Sequence, residues 1–335
     1  MSDVQVRPFR RADRDQLTKL VNAHAEAVVP GMSVSVNTVL GSLERQPGEF
    51  IVDPWVSERV TLVAEQRSRV AAAAHLLRYH PDDRAGPGYR DAGEICWLLY
   101  WPLAPAGNPC WPDVTGAAEA LIAACTEVFG RWGVTRQYAA GDLPVPGVYG
   151  VPEQWPHIAA LYRRAGFAHT GHTEVVYLAP VEDLPGPFGP GGPPLDGLAV
   201  SRSVGINGCR LSAVLGEDVI GYIETEILDE GERMWRHDGW ADVGNLRVAA
   251  GYRRRGVGSW LLGQAADWLR LAQVTRLLDY AWLDGTDPAG GSGQGYDGYR
   301  AFLSAVGFRE LTRTARGWTR EGLTAGDGGR PAGAG

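Results

Sequence analysis

Lysine is almost missing from this 335-residue chain: of its 32 basic residues only Lys19 is a lysine. The shortage accompanies abundant Arg, Ala, Gly and Pro and reads as compositional bias, not function. Basic residues are also outnumbered, 32 against 39 acidic ones, giving a net charge of −7. A general nucleic-acid binder needs a cationic surface to displace counterions, so that class is excluded; cationic substrates remain compatible. Cysteine is scarce as well. Cys96, Cys110, Cys125 and Cys209 form no CxxC pair, which excludes a disulfide framework and predicts reduced thiols in a cytoplasmic protein. No uninterrupted apolar run approaches the roughly 20 residues of a membrane span, so no membrane association is expected. The opening MSDVQVRPFRRADRD is charged and has no apolar h-region, so no secretory signal is expected. P-loop, GxSxG and HExxH motifs are all absent.

What is present is an ordinary globular composition, 44% apolar and 21% charged, long enough for about two domains. Residues 180–197, PVEDLPGPFGPGGPPLDG, contain 11 Pro or Gly in 18 and read as a linker. The stretch 321–335 reads as a disordered tail. This predicts domains at 1–179 and 198–320. In the second, 209–215 and 219–228 form a hairpin pattern, and a strand follows at 241–248. Leu261, Ala265, Trp268, Leu269 and Ala272 have the spacing of an amphipathic helix. A strand at 276–283, a short helix at 297–306 and a strand at 308–319 complete it. The first half repeats the plan weakly: a hairpin at 60–65 and 69–77, a strand at 94–101 and a helix at 115–130. Both halves close with a helix ending at Gly-Phe, Gly166-Phe167 and Gly307-Phe308, followed by a strand. The fold class predicted is α/β, with mostly antiparallel sheets flanked by helices, duplicated in tandem.

The segment richest in chemistry is Asn245 to Leu262, NLRVAAGYRRRGVGSWLL. A strand enters a glycine turn that opens a helix. Gly256 and Gly258 let backbone approach a ligand closely. The free amides of the helix start make an anion site, and Arg253, Arg254 and Arg255 add donors suited to phosphate. The physical reading is a pyrophosphate cradle.

Arg253, Gly256 and Gly258 give the spacing Arg-x-x-Gly-x-Gly, and here the sequence resembles the GNAT superfamily of acyl-CoA-dependent N-acetyltransferases. The resemblance covers about residues 198–320. It implies that the backbone of Leu246, Arg247 and Val248 pairs with the pantetheine arm of acetyl-CoA. It also implies that amides from Arg253 to Ser259, through Gly256, Val257 and Gly258, hold the pyrophosphate. Asp242 stands eleven residues before the signature arginine, where several members carry a general base. Such a carboxylate takes the proton of an amine acceptor, directly or through water, so that the amine can attack the thioester. No metal is implied.

Two departures stand out. The family often places a tyrosine five residues before the Phe of Gly-Phe as general acid; here that position is Leu303, and Tyr299 is the nearby candidate substitute. The span Leu198 to Ile223 also leaves little room for the two helices that usually follow the first strand. The first half shows the converse: Tyr162 precedes Phe167 by five residues and Glu94 matches Asp242. Yet no Arg-x-x-Gly-x-Gly follows Glu94, and Pro105, Pro109 and Pro112 remove amides. That half reads as degenerate.

Other features carry less. Gly293 to Gly298 matches GxGxxG but lacks the βαβ unit that a dinucleotide site needs. His169 and His172 have no further ligand at zinc spacing. Trp235, Trp240 and Trp282 flank the expected acceptor side, or are packing residues. Glu224, Glu226, Asp229, Glu230 and Glu232 either favour a cationic acceptor or form a solvated strand end. The expected activity is transfer of an acetyl group from acetyl-CoA to a primary amine of a small molecule. The open alternatives are a non-catalytic acyl-CoA sensor or interaction protein, and a protein N-acetyltransferase. A duplicated chain can pack as an internal pseudo-dimer, so a monomer is expected.

Overall fold

The computed structural model describes residues 4–43, 55–101, 114–186, 192–206, 208–228, 239–283 and 296–321. Two compact units result, and their boundaries differ from the expected ones. The first comprises residues 1–171 with 315–335, and the second residues 172–314.

The first unit opens with strand β1 (Val4–Pro8), helix α1 (Arg14–Val28) and helix α2 (Val36–Leu43). Three antiparallel strands follow: β2 (Val56–Gln66), β3 (Arg69–Tyr79) and β4 (Ala92–Tyr100). Helix α3 (Thr115–Trp132) then leads to β5 (Arg136–Ala139), which pairs parallel to β4. The two-residue β6 (Val151–Pro152), helix α4 (Pro156–Arg164) and β7 (Ala168–His169) complete this stretch. The sequence of β3 explains its central place. Ala71 to Ala74 are buried, and their small side chains admit α1 and α3, both of which pack on this strand.

The second unit begins with β8 (Thr173–Pro180), inside the residues assigned from sequence to the first domain. Next come β9 (Leu198–Gly205), β10 (Gly208–Leu215), β11 (Asp218–Ile227) and β12 (Trp240–Val248). Helix α5 (Val257–Leu271), β13 (Arg276–Trp282), helix α6 (Tyr296–Ala305) and β14 (Arg309–Ala315) follow. The strand order is β14-β8-β13-β12-β11-β10-β9. Only residues 206 and 207 join β9 to β10, so no helices stand there, whereas α1 and α2 occupy the matching place in the first unit. Helix α5 lies on β10, β11 and β12 and buries Leu261, Leu262, Ala265 and Leu269 in the core.

The single closing strand expected over 308–319 is in fact two. The chain turns at Gly317 (φ +72°), a conformation that favours glycine. Strand β15 (Trp318–Glu321) then joins the first unit between β5 and β7. There Trp318 is buried against Tyr162 and His169, with Arg163 over its ring. The stretch 322–335 lies outside the described residues.

The Pro/Gly stretch is also less free than a linker. Arg270 donates to the carbonyls of Val181 and Leu184, both at 2.8 Å. A Cβ on Gly263 would lie 2.7 Å from the carbonyl oxygen of Gly186, and one on Gly256 would lie 3.0 Å from Pro194 Cβ. These three positions repeat every seven residues, about two helical turns, and so share a face of α5. The stretch is seated on that face wherever it is described. Among the described residues no helix is long and apolar enough to cross a membrane.

A fragment of residues 198–320 omits β8, which pairs with β13 along its whole length from Arg276 to Trp282. We expect that fragment to lack a cooperative thermal transition by circular dichroism, with residues 172–314 giving one. Trp318→Ala in the full chain should cost about 3–5 kcal/mol, read as a lowered Tm.

Candidate active site

The site begins with a defect in strand pairing. On β12, Val243 faces Thr225 and Asn245 faces Glu224, so Gly244 has no opposite residue and forms a bulge. Glycine suits the bend. A buried clamp holds it. Glu224, fully buried, accepts from Arg210 Nε at 2.6 Å and from Asn245 Nδ2 at 3.2 Å. The backbone amide of Ile206 adds a bond at 3.3 Å. Glu224 is therefore committed within the sheet and is not a surface for an acceptor. Glu226 is exposed and lies opposite Asp242, while Asp229, Glu230 and Glu232 lie outside the described residues.

Bent in this way, β12 runs parallel to β13 for only three pairs, from Trp240–Arg276 to Asp242–Leu278. Beyond this point the two strands part. Leu246, Arg247 and Val248 still pair with Ile223, Tyr222 and Gly221 of β11 on one edge. Among the described residues no strand pairs with their other edge, so its backbone groups face the split.

Two carboxyls flank the vertex. Asp242 is the last paired residue of β12, and Tyr280 Oη donates to its Oδ1 at 3.1 Å. Burial pushes Asp242 up to about 7; the Tyr280 bond opposes this and the charge of Glu226 adds to it. Asp279 is the first residue of β13 beyond the pairing. Its Oδ2 accepts from Tyr299 Oη at 2.8 Å and its Oδ1 from the Tyr280 amide at 2.7 Å. It too is buried, and burial, partly offset by these two bonds and reinforced by Asp242, raises it to about 7. Burial and the neighbouring Asp279 push the Tyr299 hydroxyl well above its ordinary range. Leu303, one turn further along α6, is a core residue.

At the end of β12 the chain makes a short 3-10 turn, Ala250–Tyr252, and enters the arginines. Arg253 Nε donates to the Val248 carbonyl at 3.0 Å and braces the turn; Arg255 stacks over Tyr252. Arg254 (φ +59°) and Gly256 (φ +84°) are both left-handed, which reverses the chain into α5. No side chain caps this helix start, so the first amides, at Val257, Gly258 and Ser259, are open to an anion. Gly258 lies beside the ring of Phe302, 3.6 Å from where its Cβ would be. The Cβ direction of Gly256 faces Pro194 rather than open space, so two constraints require glycine there.

The remaining candidates disperse. Trp240 is buried beneath the Arg276 guanidinium, Trp282 meets His172, and Trp235 lies outside the described residues. His169 packs on Trp318. Residues 293–295 of the GxGxxG match, and Cys110, Pro105, Pro109 and Pro112, also lie outside them. Among the described residues no group of three or more His, Cys, Asp or Glu is placed to hold a metal ion.

The model of the Acetyltransferase (GNAT) family matches residues 192–288. The chain carries a GNAT domain. A search of curated proteins finds no match. Among solved structures, a tandem GNAT protein from the clavulanic acid biosynthesis pathway aligns over 96% of this chain and 100% of its own, with 16% identity and TM-score 0.60. A GCN5-related N-acetyltransferase from Sphaerobacter thermophilus aligns over 95% of each chain, with 13% identity and TM-score 0.56. At such identities the likeness is one of fold, and it extends over both units.

The first unit repeats the bulge and the early end of pairing, with the base of its split bonded. Its β4 bulges at Cys96, since His75 faces Trp97 and Leu76 faces Ile95. Its β4–β5 pairing also ends early, at Ile95–Ala139. There, however, the Ala140 and Asp142 amides donate to the Ile95 and Cys96 carbonyls at 2.8 and 3.0 Å. These bonds occupy two carbonyls at the base of the split, at the positions that match Val243 and Gly244 of the second unit. Tyr162 is fully buried and donates to the Ala140 carbonyl at 2.8 Å, and Tyr79 donates to Glu94.

Sequence reasoning missed Asp279, Tyr280 and the Glu224 clamp. A lone acidic residue in the apolar run RLLDYAWL was the available signal for Asp279. Both Asp242 and Asp279 are raised from an ordinary 3.8, so the folded state holds protons that the unfolded chain releases. Their contribution to stability is full below about pH 4 and is lost as the pH rises through about 7. Asp279→Asn should therefore flatten the loss of stability between pH 5 and pH 8 in urea unfolding. A loss as steep as in the parent chain would show that Asp279 is ionised throughout.

Proposed function

We propose that this protein is an acetyl-CoA-dependent N-acetyltransferase with a single active site, in the second unit, and a small-molecule primary amine as acceptor. The observation that carries the reading is the split itself. An unpaired strand edge leads from a buried carboxyl at the vertex to an uncapped helix start. This suits an extended amide-bearing arm that ends in a pyrophosphate. Leu246, Arg247 and Val248 would hold the arm, and the amides from Arg253 to Ser259 the phosphates. The bound thioester supplies an activated acetyl group.

Asp242 serves as base. Its raised affinity for a proton matches it to an ammonium group better than an ordinary carboxylate. The exposed Glu226 opposite it adds negative potential and favours a cationic acceptor. Tyr280 orients the Asp242 carboxyl. Tyr299 is the candidate acid for the sulfur that leaves. The bonded base of the first unit's split, and the lack of an Arg-x-x-Gly-x-Gly loop after Glu94, support one acyl-CoA per chain and a scaffolding role for that unit.

Calorimetric titration with acetyl-CoA tests the reading. We expect one site per chain, lost in Gly256→Asp, where a side chain would meet Pro194 in a left-handed conformation. Two sites, or none, would overturn the assignment. With acetyl-CoA binding established, a panel of small amines and peptides separates the acceptor classes. Asp242→Asn should then lower kcat by about 10²–10⁴ and remove the rise of rate through about pH 7.

A further inference from the structure

Asp279 is a buried acid in the middle of a β-strand, between the core residues Leu277 and Ala281 on its own strand and opposite the buried Tyr177 of β8. Its two bonds come from Tyr299 of α6 and from the Tyr280 amide on its own strand. Tyr177 faces it from β8, and the like charge of Asp242 on β12 acts on it. No cation is among the groups that act on it. As a mere anchor for a tyrosine hydroxyl this is costly chemistry. An uncompensated carboxylate is penalised heavily by burial, and a neutral amide would accept the same bond.

Its position is informative. Asp279 is the first β13 residue past the end of pairing, on the α6 side of the split. The Tyr299 ring that it holds stacks on Phe302, which in turn lies against Gly258 at the start of α5. Tyr299 and Leu303 are one turn apart on the inward face of α6.

We infer that Asp279 and Tyr299 form a two-member proton relay to the sulfur that leaves the acyl donor, with Asp279 as the positioning residue and proton source behind the Tyr299 hydroxyl. The inference rests on the transferase reading. The sulfur takes the Tyr299 Oη proton as the carbon–sulfur bond breaks. The oxygen of Tyr299 takes the proton of the Asp279 carboxyl, and Asp279 is left as a carboxylate. The observed arrangement, with Tyr299 Oη donating to Asp279 Oδ2, is the relay after delivery. An ammonium acceptor gives up two protons: Asp242 passes the first to solvent as the free amine forms and takes the second as the amide forms, while Asp279 is recharged from solvent, so one proton is released per turnover. Burial serves this role, because it keeps the carboxyl protonated up to about 7, where an exposed aspartate would be empty. The relay also supplies what Leu303 cannot.

The test compares the parent chain, Asp279→Asn and Tyr299→Phe in three measurements: acetyl-CoA affinity, kcat against pH, and the ultraviolet thiolate band of bound CoA against pH. The parent should give a bell, rising as Asp242 ionises and falling as Asp279 empties. Asp279→Asn should leave acetyl-CoA affinity unchanged, lower kcat at pH 7 roughly tenfold or more and abolish the falling limb while keeping the rising one. Bound CoA should become thiolate at lower pH in Asp279→Asn, which removes a like charge, and at higher pH in Tyr299→Phe, which removes the donor to the sulfur. A structural role would change affinity or rate without removing one limb. Both limbs persisting in Asp279→Asn, with the thiolate band unmoved, overturns the relay. If Asp279→Asn does not fold, Tyr299→Phe carries the test: the falling limb is lost and the thiolate band moves to higher pH, and a retained falling limb with an unmoved band overturns the relay. A chain that binds CoA but transfers nothing fails the transferase reading, and the thiolate band then decides the relay alone. A chain that binds no CoA overturns both.

Discussion

A strand edge that no other strand pairs with among the described residues is the constraint on which the second unit is organised. Buried backbone groups need partners, and each one left without costs about 1–3 kcal/mol. Within a sheet the partner is normally the next strand. Here the Gly244 bulge, clamped by Glu224 between Arg210 and Asn245, turns β12 away from β13 after three pairs. The edge from Val243 to Val248 is then completed from outside the sheet. The first unit shows the other solution to the same constraint. A bulge and an early end of pairing are present there too, but the Ala140 and Asp142 amides fill the gap. One architecture thus yields two splits whose bases differ by two backbone hydrogen bonds.

The electrostatics of the open split follow from where its carboxyls sit. Asp242 and Asp279 stand on adjacent strands at the vertex, each bonded to a tyrosine hydroxyl. Among the groups that shift them, none is cationic. The arginines are elsewhere: Arg210 is bound to Glu224, Arg270 to the Val181 and Leu184 carbonyls, and Arg253 to Val248. Fixed positive charge at the helix start and proton-holding acids at the vertex therefore divide the split into an anion-binding end and a proton-transfer end.

Much of this was legible in the sequence for local reasons. The hairpin 209–228, the helix after the arginines and the strand at 276–283 have clear periodicities, and they fold within a residue or two of where those point. Arg253, Gly256 and Gly258 are visible because the turn requires glycine for backbone reasons that any sequence must meet. The missing pair of helices after Leu198 was also readable, as simple lack of length. What escaped was long-range. That residues 173–180 pair with β13 depends on partners about 100 positions away. The seating of the Pro/Gly stretch on Gly256, Gly263 and Arg270 depends on a helix surface that composition does not reveal. Asp279 was passed over because a single acid in an apolar strand shows its meaning only when Tyr299 is placed against it. Glu224 was misjudged because an acidic run reads as solvated until one member is found buried with an arginine.

The route of the chain has a consequence for synthesis. The second unit is continuous, residues 172–314, whereas the first takes its strand β15 from the far end of the polypeptide. Domains generally form as they emerge from the ribosome, beginning at the N-terminus. That order is inverted here in one respect. The first unit waits, with β5 and β7 lacking their shared neighbour and Tyr162 lacking Trp318, until residues 318–321 are made. The half translated second holds all its strands earlier. Completion of the first unit is thereby tied to translation of residues 318–321, and a chain released before them keeps a contiguous second unit and a first unit with an open sheet.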